Sequence, residues 1–335
     1  MTLSTPLLAA ASLLAGLMGP AVLGAAPGPQ QAATPAPAGK RTEIVEHVAA
    51  RTGAEQRRVL DYWTPQRMAA ALPISLLDAV TGERGLLKNL TGRPGVPKRQ
   101  AAARPEMNTI GSRWVTGGLV TKTTGRVFMT VAGADFVCSA STIRSANKDV
   151  VVTAGHCVKD GTGEWAANWT FVPGYEVGGE QPYGQYAARR MFVAGPWSRS
   201  GDDNYDVGMV ALATSGGKHV ADVVGTQEIA FNSARGGQVF GFGYPADPPY
   251  DGDHLVYCAG RLKDDPHSQT RDQGLGCDMT AGSSGGPWMT TFDAATGKGT
   301  ITSLSSFKYS DDQRTMYGPY FGDATKALFS TAERA

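Results

Sequence analysis

CDMTAGSSGGPW, Cys277 to Trp288, sets two adjacent serines between glycines. A run of small residues of this kind is most often only a turn. A second stretch, VVTAGHCV from Val151 to Val158, lies more than a hundred residues earlier and carries a histidine. An alcohol is a poor nucleophile at neutral pH and needs such a base within hydrogen-bonding reach before it can attack. His156 suits the task because an imidazole titrates close to working pH. Histidines are ordinarily surface or satisfied core residues, but this one ends the apolar run DVVVTAGHC at a turn made by Gly155. His47, His219, His254 and His267 have no comparable setting.

The imidazole needs an acceptor that fixes its tautomer and stabilises the imidazolium, and a carboxylate does this best. DDNYDVGMVAL, Asp202 to Leu212, offers three. Asp206 opens the alternating run Val207-Gly208-Met209-Val210-Ala211-Leu212, where it would be half-buried, whereas Asp202 and Asp203 read as solvated caps. Of the two serines, Ser284 follows Gly282 by two residues and precedes Gly285-Gly286-Pro287. Gly282 lets the chain turn so that its own N–H and that of Ser284 aim at one point, the arrangement that stabilises a developing oxyanion. Gly282 to Gly286 also satisfies G-x-S-x-G, but that motif belongs to folds whose histidine follows the serine, and no histidine follows Ser284. The order His156, Asp206, Ser284 is that of a β-barrel peptidase.

TAGHC, YDVGMVAL and GSSGGP together resemble the chymotrypsin-like (trypsin-like) serine peptidases, in particular secreted bacterial members near the glutamyl endopeptidases. The resemblance covers Gly111 to the C-terminus. It implies an all-β fold of two antiparallel six-stranded β-barrels with the active site in the cleft between them. It implies His156 as base, Asp206 as orienting acid, Ser284 as nucleophile, and the N–H groups of Gly282 and Ser284 as oxyanion hole. The sequence departs from the trypsin pattern before the nucleophile, where Ser283 replaces an aspartate that pairs with a newly freed N-terminal amine. Activation is therefore expected not to depend on inserting one particular N-terminus. For the substrate pocket, Asp278 lies six residues before Ser284, where trypsin-like enzymes keep an acid for Lys or Arg side chains. Cys277 immediately before it departs from trypsin, so a turn carboxylate is the competing reading. Ser303 and Ser305, in the run from Gly299 to Ser306, are expected in one wall of the pocket.

The composition fits this class. The chain has 335 residues, 43 Gly, 20 Pro and a formal net charge of +1, which is Gly-rich and turn-rich without the basic excess of a nucleic-acid binder. The first residues hold an apolar stretch from Leu7 to Leu23 followed by small residues, read as a secretory signal over 1–25. No later segment is long and apolar enough to cross a bilayer. The protein is expected to be secreted, free of the membrane after signal removal, and monomeric. Four cysteines in an exported chain suggest disulfides and allow three pairings; the spacing of 19 residues within each neighbouring pair favours Cys138–Cys157 and Cys258–Cys277. No cofactor is expected. No metal is either, Asp251-Gly252-Asp253 being an ordinary acidic turn.

Residues 26–110 read as linker and propeptide, partly helical, ahead of the peptidase domain at 111–335. A Pro/Ala linker precedes a pattern in which Thr42 caps a first helix carrying Ile44, Val45 and Val48, broken at Gly53. Thr64-Pro65 marks a second helix start. A further linker from Thr91 to Glu106 contains Lys98-Arg99 and is the expected cleavage region. Residues 1–110 hold 12 Lys/Arg against 7 Asp/Glu, +5, and the remainder 19 against 23, −4, which favours docking of the segment on the domain it precedes. A short C-terminal helix is expected over Asp323 to Arg334. The partners are thus a polypeptide substrate and the chain's own propeptide; an esterase with the same triad and a non-catalytic binding protein are the rivals.

Overall fold

The computed structural model describes residues 42–74 and 108–335, which belong to one unit running from Arg41 to Ala335. The expected signal, the Pro/Ala linker and the second linker with Lys98-Arg99 lie outside the described residues. Among those described, no helix is long and apolar enough to cross a membrane.

The described residues begin with β1 (Ile44–Val48), two short helices, α1 (Gly53–Tyr62) and α2 (Pro65–Ala70), and a two-residue strand, β2 (Leu72–Pro73). Here the sequence expectation needs correcting. Ile44, Val45 and Val48 do not lie on a helix: β1 is a strand, paired antiparallel with the edge of the barrel from Ile44↔Ala194 to Val48↔Arg190. β-branched residues prefer the pleated, half-buried setting that this edge provides. Helix begins only at Gly53, where Thr52 and Glu55 form a capping box that satisfies two backbone N–H groups at once. The second start is as expected, with Thr64 accepting from the Arg67 N–H and Pro65 in the first turn.

After β3 (Asn108–Arg113) come the six strands of the first barrel: β4 (Thr124–Val131), β5 (Ala134–Thr142), β6 (Val150–Thr153), β7 (Ala167–Pro173), β8 (Tyr186–Ala194) and β9 (Gly208–Leu212). β4 and β5 form the expected hairpin, turning at Ala132-Gly133. The ladders run β4–β5–β6–β9–β8–β7 and return to β4, so no edge is left inside the ring. On its strands Val127, Val137, Val151, Phe171, Phe192 and Met209 are all fully buried.

The second half contains β10 (Glu228–Ile229), β11 (Gln238–Gly243), β12 (Val256–Arg261), β13 (Lys263–Asp264), β14 (Gln273–Gly276), β15 (Pro287–Asp293), β16 (Lys298–Leu304), β17 (Phe307–Tyr309) and β18 (Asp312–Gly318). They are arranged as a six-stranded sheet, β10-β16-β15-β11-β12-β3, and a four-stranded one, β13-β14-β18-β17. The disulfide Cys258–Cys277 joins β12 to the residue just after β14 and so ties the two sheets together. Around it Val239, Leu275, Met279 and Trp288 form a second core. The C-terminal helix, Asp323–Ala332, ends the fold as expected and buries Leu328 and Ala332.

Candidate active site

β6 stops at Thr153, and the next residues turn back sharply. Gly155 is required there, since a Cβ would stand 2.9 Å from Oδ1 of Asp206 and 3.1 Å from the Trp197 ring. Cys157 closes the turn by bonding to Cys138 on β5, the first of the two expected disulfides. The Trp169 indole donates to the Cys157 carbonyl at 2.8 Å and the Trp197 indole to that of Lys159 at 2.9 Å. His156 is thus presented by a turn pinned at several points.

Asp206 sits between the short turn Asp203–Tyr205 and the start of β9, only 2 % exposed. Its Oδ1 accepts the backbone N–H of His156 at 2.7 Å, and its Oδ2 lies 2.7 Å from the imidazole Nδ1. Ser306 donates its hydroxyl to the same Oδ2 at 2.5 Å. Burial alone would lower the pKa of His156, but the charge and hydrogen bond of Asp206 outweigh it and the imidazole ends above its ordinary value. Burial would likewise raise Asp206, yet the imidazolium and three donated hydrogen bonds hold it below the usual carboxylate range. The carboxylate is therefore held ionised beside Nδ1, and a proton gained by His156 has a stabilising neighbour.

Ser283 and Ser284 differ plainly. The Ser283 hydroxyl is fully buried and donates to the Thr280 carbonyl at 2.6 Å. Ser284 is 7 % exposed, and among the described residues its hydroxyl is bonded neither to the imidazole nor to another group. Nucleophile–base contacts commonly tighten only around bound substrate. Its backbone, by contrast, is fixed: the Ser284 carbonyl accepts from the Ser139 N–H at 2.7 Å, and Gly285 N–H donates to Ser305 O at 2.7 Å. A Cβ on Gly285 would meet Thr153 Oγ1 at 2.1 Å, so the serine loop is pressed against the end of the strand that leads to His156.

The backbone around Ser284 is also prepared for an anion. Ser283, Gly285 and Gly286 spend their N–H groups on the carbonyls of Thr280, Ser305 and Ser283. Among the described residues the N–H groups of Gly282 and Ser284 have no acceptor. Gly282 holds φ +94, and a Cβ there would collide with Tyr244 O at 2.8 Å. Two free donors two residues apart, held by a glycine in the left-handed region, can receive negative charge without reorganising.

The expected pocket residues have other partners. Asp278 accepts at Oδ1 from the Gly111 N–H, 2.6 Å, and from the Tyr250 hydroxyl, 2.7 Å, and so holds β3 in place. The Ser303 hydroxyl donates to Pro319 O at 2.8 Å, and that of Ser305 accepts from the Trp288 indole at 3.0 Å. Ser139 and Ser306 are the site residues that the sequence did not single out; neither carries a local signature, because each acts on a partner that only the fold brings near. Two further groups stand close by. The carboxylate of Asp272 is fully buried with neither oxygen hydrogen-bonded, and burial, reinforced by Asp206, pushes it up to about 8. Lys308 donates to the carbonyls of Cys277 and Gln313 at 2.9 and 2.6 Å and is pushed down to about 8 by burial, against the pull of Asp278 and Asp312.

Cys138, His156 and Cys157 are the one group of potential metal donors gathered among the described residues. Both sulfurs are joined in a disulfide, and a metal site needs thiolates. The trio does not fit a metal centre.

Comparison with known proteins gives one family match: the sequence pattern of the Trypsin family fits residues 115–320. The "Extracellular metalloprotease" of Bacillus subtilis is 40% identical over 74 residues, 22% of this chain and 23% of that protein. The "Glutamyl endopeptidase" of Bacillus licheniformis is 30% identical over 131 residues, 38% of this chain and 40% of that protein. This chain thus spans less than half the length of either curated relative. The crystal structure of the protease Anisep from Arthrobacter nicotinovorans superimposes with a TM-score of 0.62 at 37% identity, covering 67% of this chain and 99% of that one.

Proposed function

The chain belongs to the Trypsin family, and from that membership we propose that it is a secreted serine endopeptidase acting through His156, Asp206 and Ser284. His156 takes the proton of the Ser284 hydroxyl as the oxygen attacks the scissile carbonyl. Asp206 holds Nδ1–H and stabilises the imidazolium so formed. The Gly282 and Ser284 N–H groups receive the oxyanion. His156 then returns the proton to the leaving amine, and water hydrolyses the acyl-enzyme by the same steps in reverse.

The observation that carries this reading is the pair of unspent backbone donors beside a free hydroxyl. The Ser284 loop is bonded to Ser139, one residue from the disulfide that pins His156. A binding protein that had given up catalysis would have no use for two unsatisfied N–H groups. Polypeptide is the substrate class, in line with the names of its relatives. The peptidase domain is taken as 111–335 and works as a monomer. Residues 26–110 are a propeptide cut in the linker after Lys98, following removal of a signal over 1–25. The name of the Bacillus subtilis relative supports the extracellular assignment. The family match begins only at residue 115, which supports a separate N-terminal part.

Labelling with a fluorophosphonate, compared with Ser284→Ala, is the direct test: a wild-type chain that stays unlabelled after processing overturns the assignment. Turnover of casein beside a simple acyl ester separates a peptidase from an esterase, and mass spectrometry of the secreted chain locates the mature N-terminus.

A further inference from the structure

The edge of β5 is shared among three neighbours. β4 covers one side of it along its whole length, from Thr124↔Ser141 to Val131↔Ala134. On the other side β6 pairs only with Ser141 and Thr142. The Ser139 N–H on that strand is taken by the carbonyl of Ser284. Phe136 and Val137 pair with Leu72 and Pro73, which lie parallel to them as β2. The N-terminal segment therefore occupies the stretch of strand that leads directly to the nucleophile. At about 3.3 Å per residue, Val137 and Ser139 are roughly 7 Å apart along β5.

That stretch also borders the base, because Cys138, between Val137 and Ser139, is bonded to Cys157 beside His156. The leaving amine receives its proton from the imidazole, so the substrate arm that departs with it passes on this side. An extended peptide arm is held best by an open strand edge, whose N–H and C=O groups it can pair. Here the edge is already filled, and the filling is anchored. The Tyr62 hydroxyl and the Arg67 guanidinium both donate to Asp135 at the start of β5, at 2.8 and 3.1 Å. Trp63, Met68 and Ile74 are almost wholly buried, and β1 adds five paired residues on β8.

We infer that Leu72–Ile74 is a built-in competitor for the leaving-group arm of polypeptide substrates, blocking that arm's binding edge on β5 until residues 42–74 are cut away and released. The inference rests on the peptidase reading of Ser284 and adds to it a regulatory role for one named segment. Small esters, whose leaving group needs no strand edge, escape the block.

The test uses Ser284→Ala protein with a recognition sequence for an unrelated site-specific protease placed within residues 75–107. The chain is compared intact and after cutting and removal of the N-terminal piece. The probe is fluorescein-labelled reduced casein, read by anisotropy. A competitor seated nine-tenths of the time weakens apparent affinity about tenfold, so the cut protein should bind about tenfold more tightly. Ile74→Asp in the intact chain should recover part of that gain, and the cut protein still decides if this variant folds poorly. Equal affinity of intact and cut protein overturns the inference. Fluorophosphonate labelling of the wild-type chain is run in parallel: tighter casein binding after cutting without labelling rejects the catalytic reading and leaves the competitor standing.

Discussion

The backbone N–H of Ser139 donates to the carbonyl of Ser284 at 2.7 Å, while the Ser139 hydroxyl donates to the carbonyl of Gly282 at 2.9 Å. One residue of the first barrel thus fixes both ends of the tripeptide that carries the two free N–H groups of the proposed oxyanion hole. The same hydroxyl accepts the Tyr244 N–H at 2.9 Å, so it is fully engaged within the protein. Ser139→Ala should leave that N–H and the Gly282 carbonyl buried without partners, at about 1–3 kcal/mol for an orphaned group. The expected result is a fall in kcat on an acyl ester of roughly tenfold to a hundredfold with little change in KM, the mark of an interaction realised in the transition state. Steady-state kinetics on correctly folded variant check it; an unchanged kcat would remove Ser139 from the positioning of the hole.

The pH profile follows from the imidazole. Only neutral His156 can accept the Ser284 proton, so kcat/KM must climb as pH rises through the pKa of His156. Asp206 holds that pKa above the ordinary 6.5, and the acidic limb should therefore fall above that value. Ser306→Ala removes a hydrogen bond that stabilises the Asp206 anion, leaving more charge to face the imidazolium. The limb should then move to still higher pH. Asp206→Asn should lose activity by about ten-thousandfold, as loss of the orienting acid does in such triads. A limb below the ordinary histidine value in the wild type would contradict the arrangement.

Much of this candidate site was proposed from the sequence alone. The positions of His156, Asp206 and Ser284 follow from order along the chain combined with short glycine contexts, and both disulfides agree with the 19-residue spacing. The β4–β5 hairpin was legible because its alternation is local. β1 was not, because Ile44, Val45 and Val48 suit a helix face as well as a strand. What decides between them is the edge of β8, more than a hundred residues away. Ser139 and Ser306 escaped for the same reason: a hydroxyl that acts on a distant partner has no neighbours that give it away. Asp278 stayed open between pocket acid and turn carboxylate because distance from Ser284 along the chain says nothing of which way the carboxylate turns. In the structure it faces Gly111 and Tyr250.

Asp272 should make the fold lose stability as pH rises from about 4 to about 8. In the unfolded chain it ionises near the usual 3.9, whereas burial pushes the folded value up to about 8. The folded state therefore binds the proton more tightly, and the stability this confers is complete below about pH 4 and lost progressively as pH rises toward 8. Each pH unit in that window is worth up to about 1.4 kcal/mol. Asp272→Asn cannot ionise, so its melting temperature relative to wild type should rise between pH 4 and pH 8. Parallel thermal melts at the two pH values measure it, and a constant difference would mean that the carboxyl is not protonated in the native state.

Asp278 and Ser283 bear on activation and specificity together. The Asp278 carboxylate takes a backbone N–H from β3 and a tyrosine hydroxyl, both in partly buried positions. A hydrogen bond to a charged group contributes about 1.5–3 kcal/mol, so Asp278→Ala should loosen β3 and lower the melting temperature. If the carboxylate does no more than this, a peptide-library cleavage profile of the variant keeps the wild-type preference, whereas selective loss of cleavage after Lys and Arg would restore Asp278 to the substrate pocket. Ser283 meanwhile spends its hydroxyl on Thr280 within the same loop and leaves no carboxylate there to receive a freed terminal amine. Mature forms beginning a residue or two later should then retain the activity of the parent on an acyl ester. Abolition of activity by such trimming would mean that the terminus itself shapes the oxyanion site, by a contact other than an ion pair at position 283.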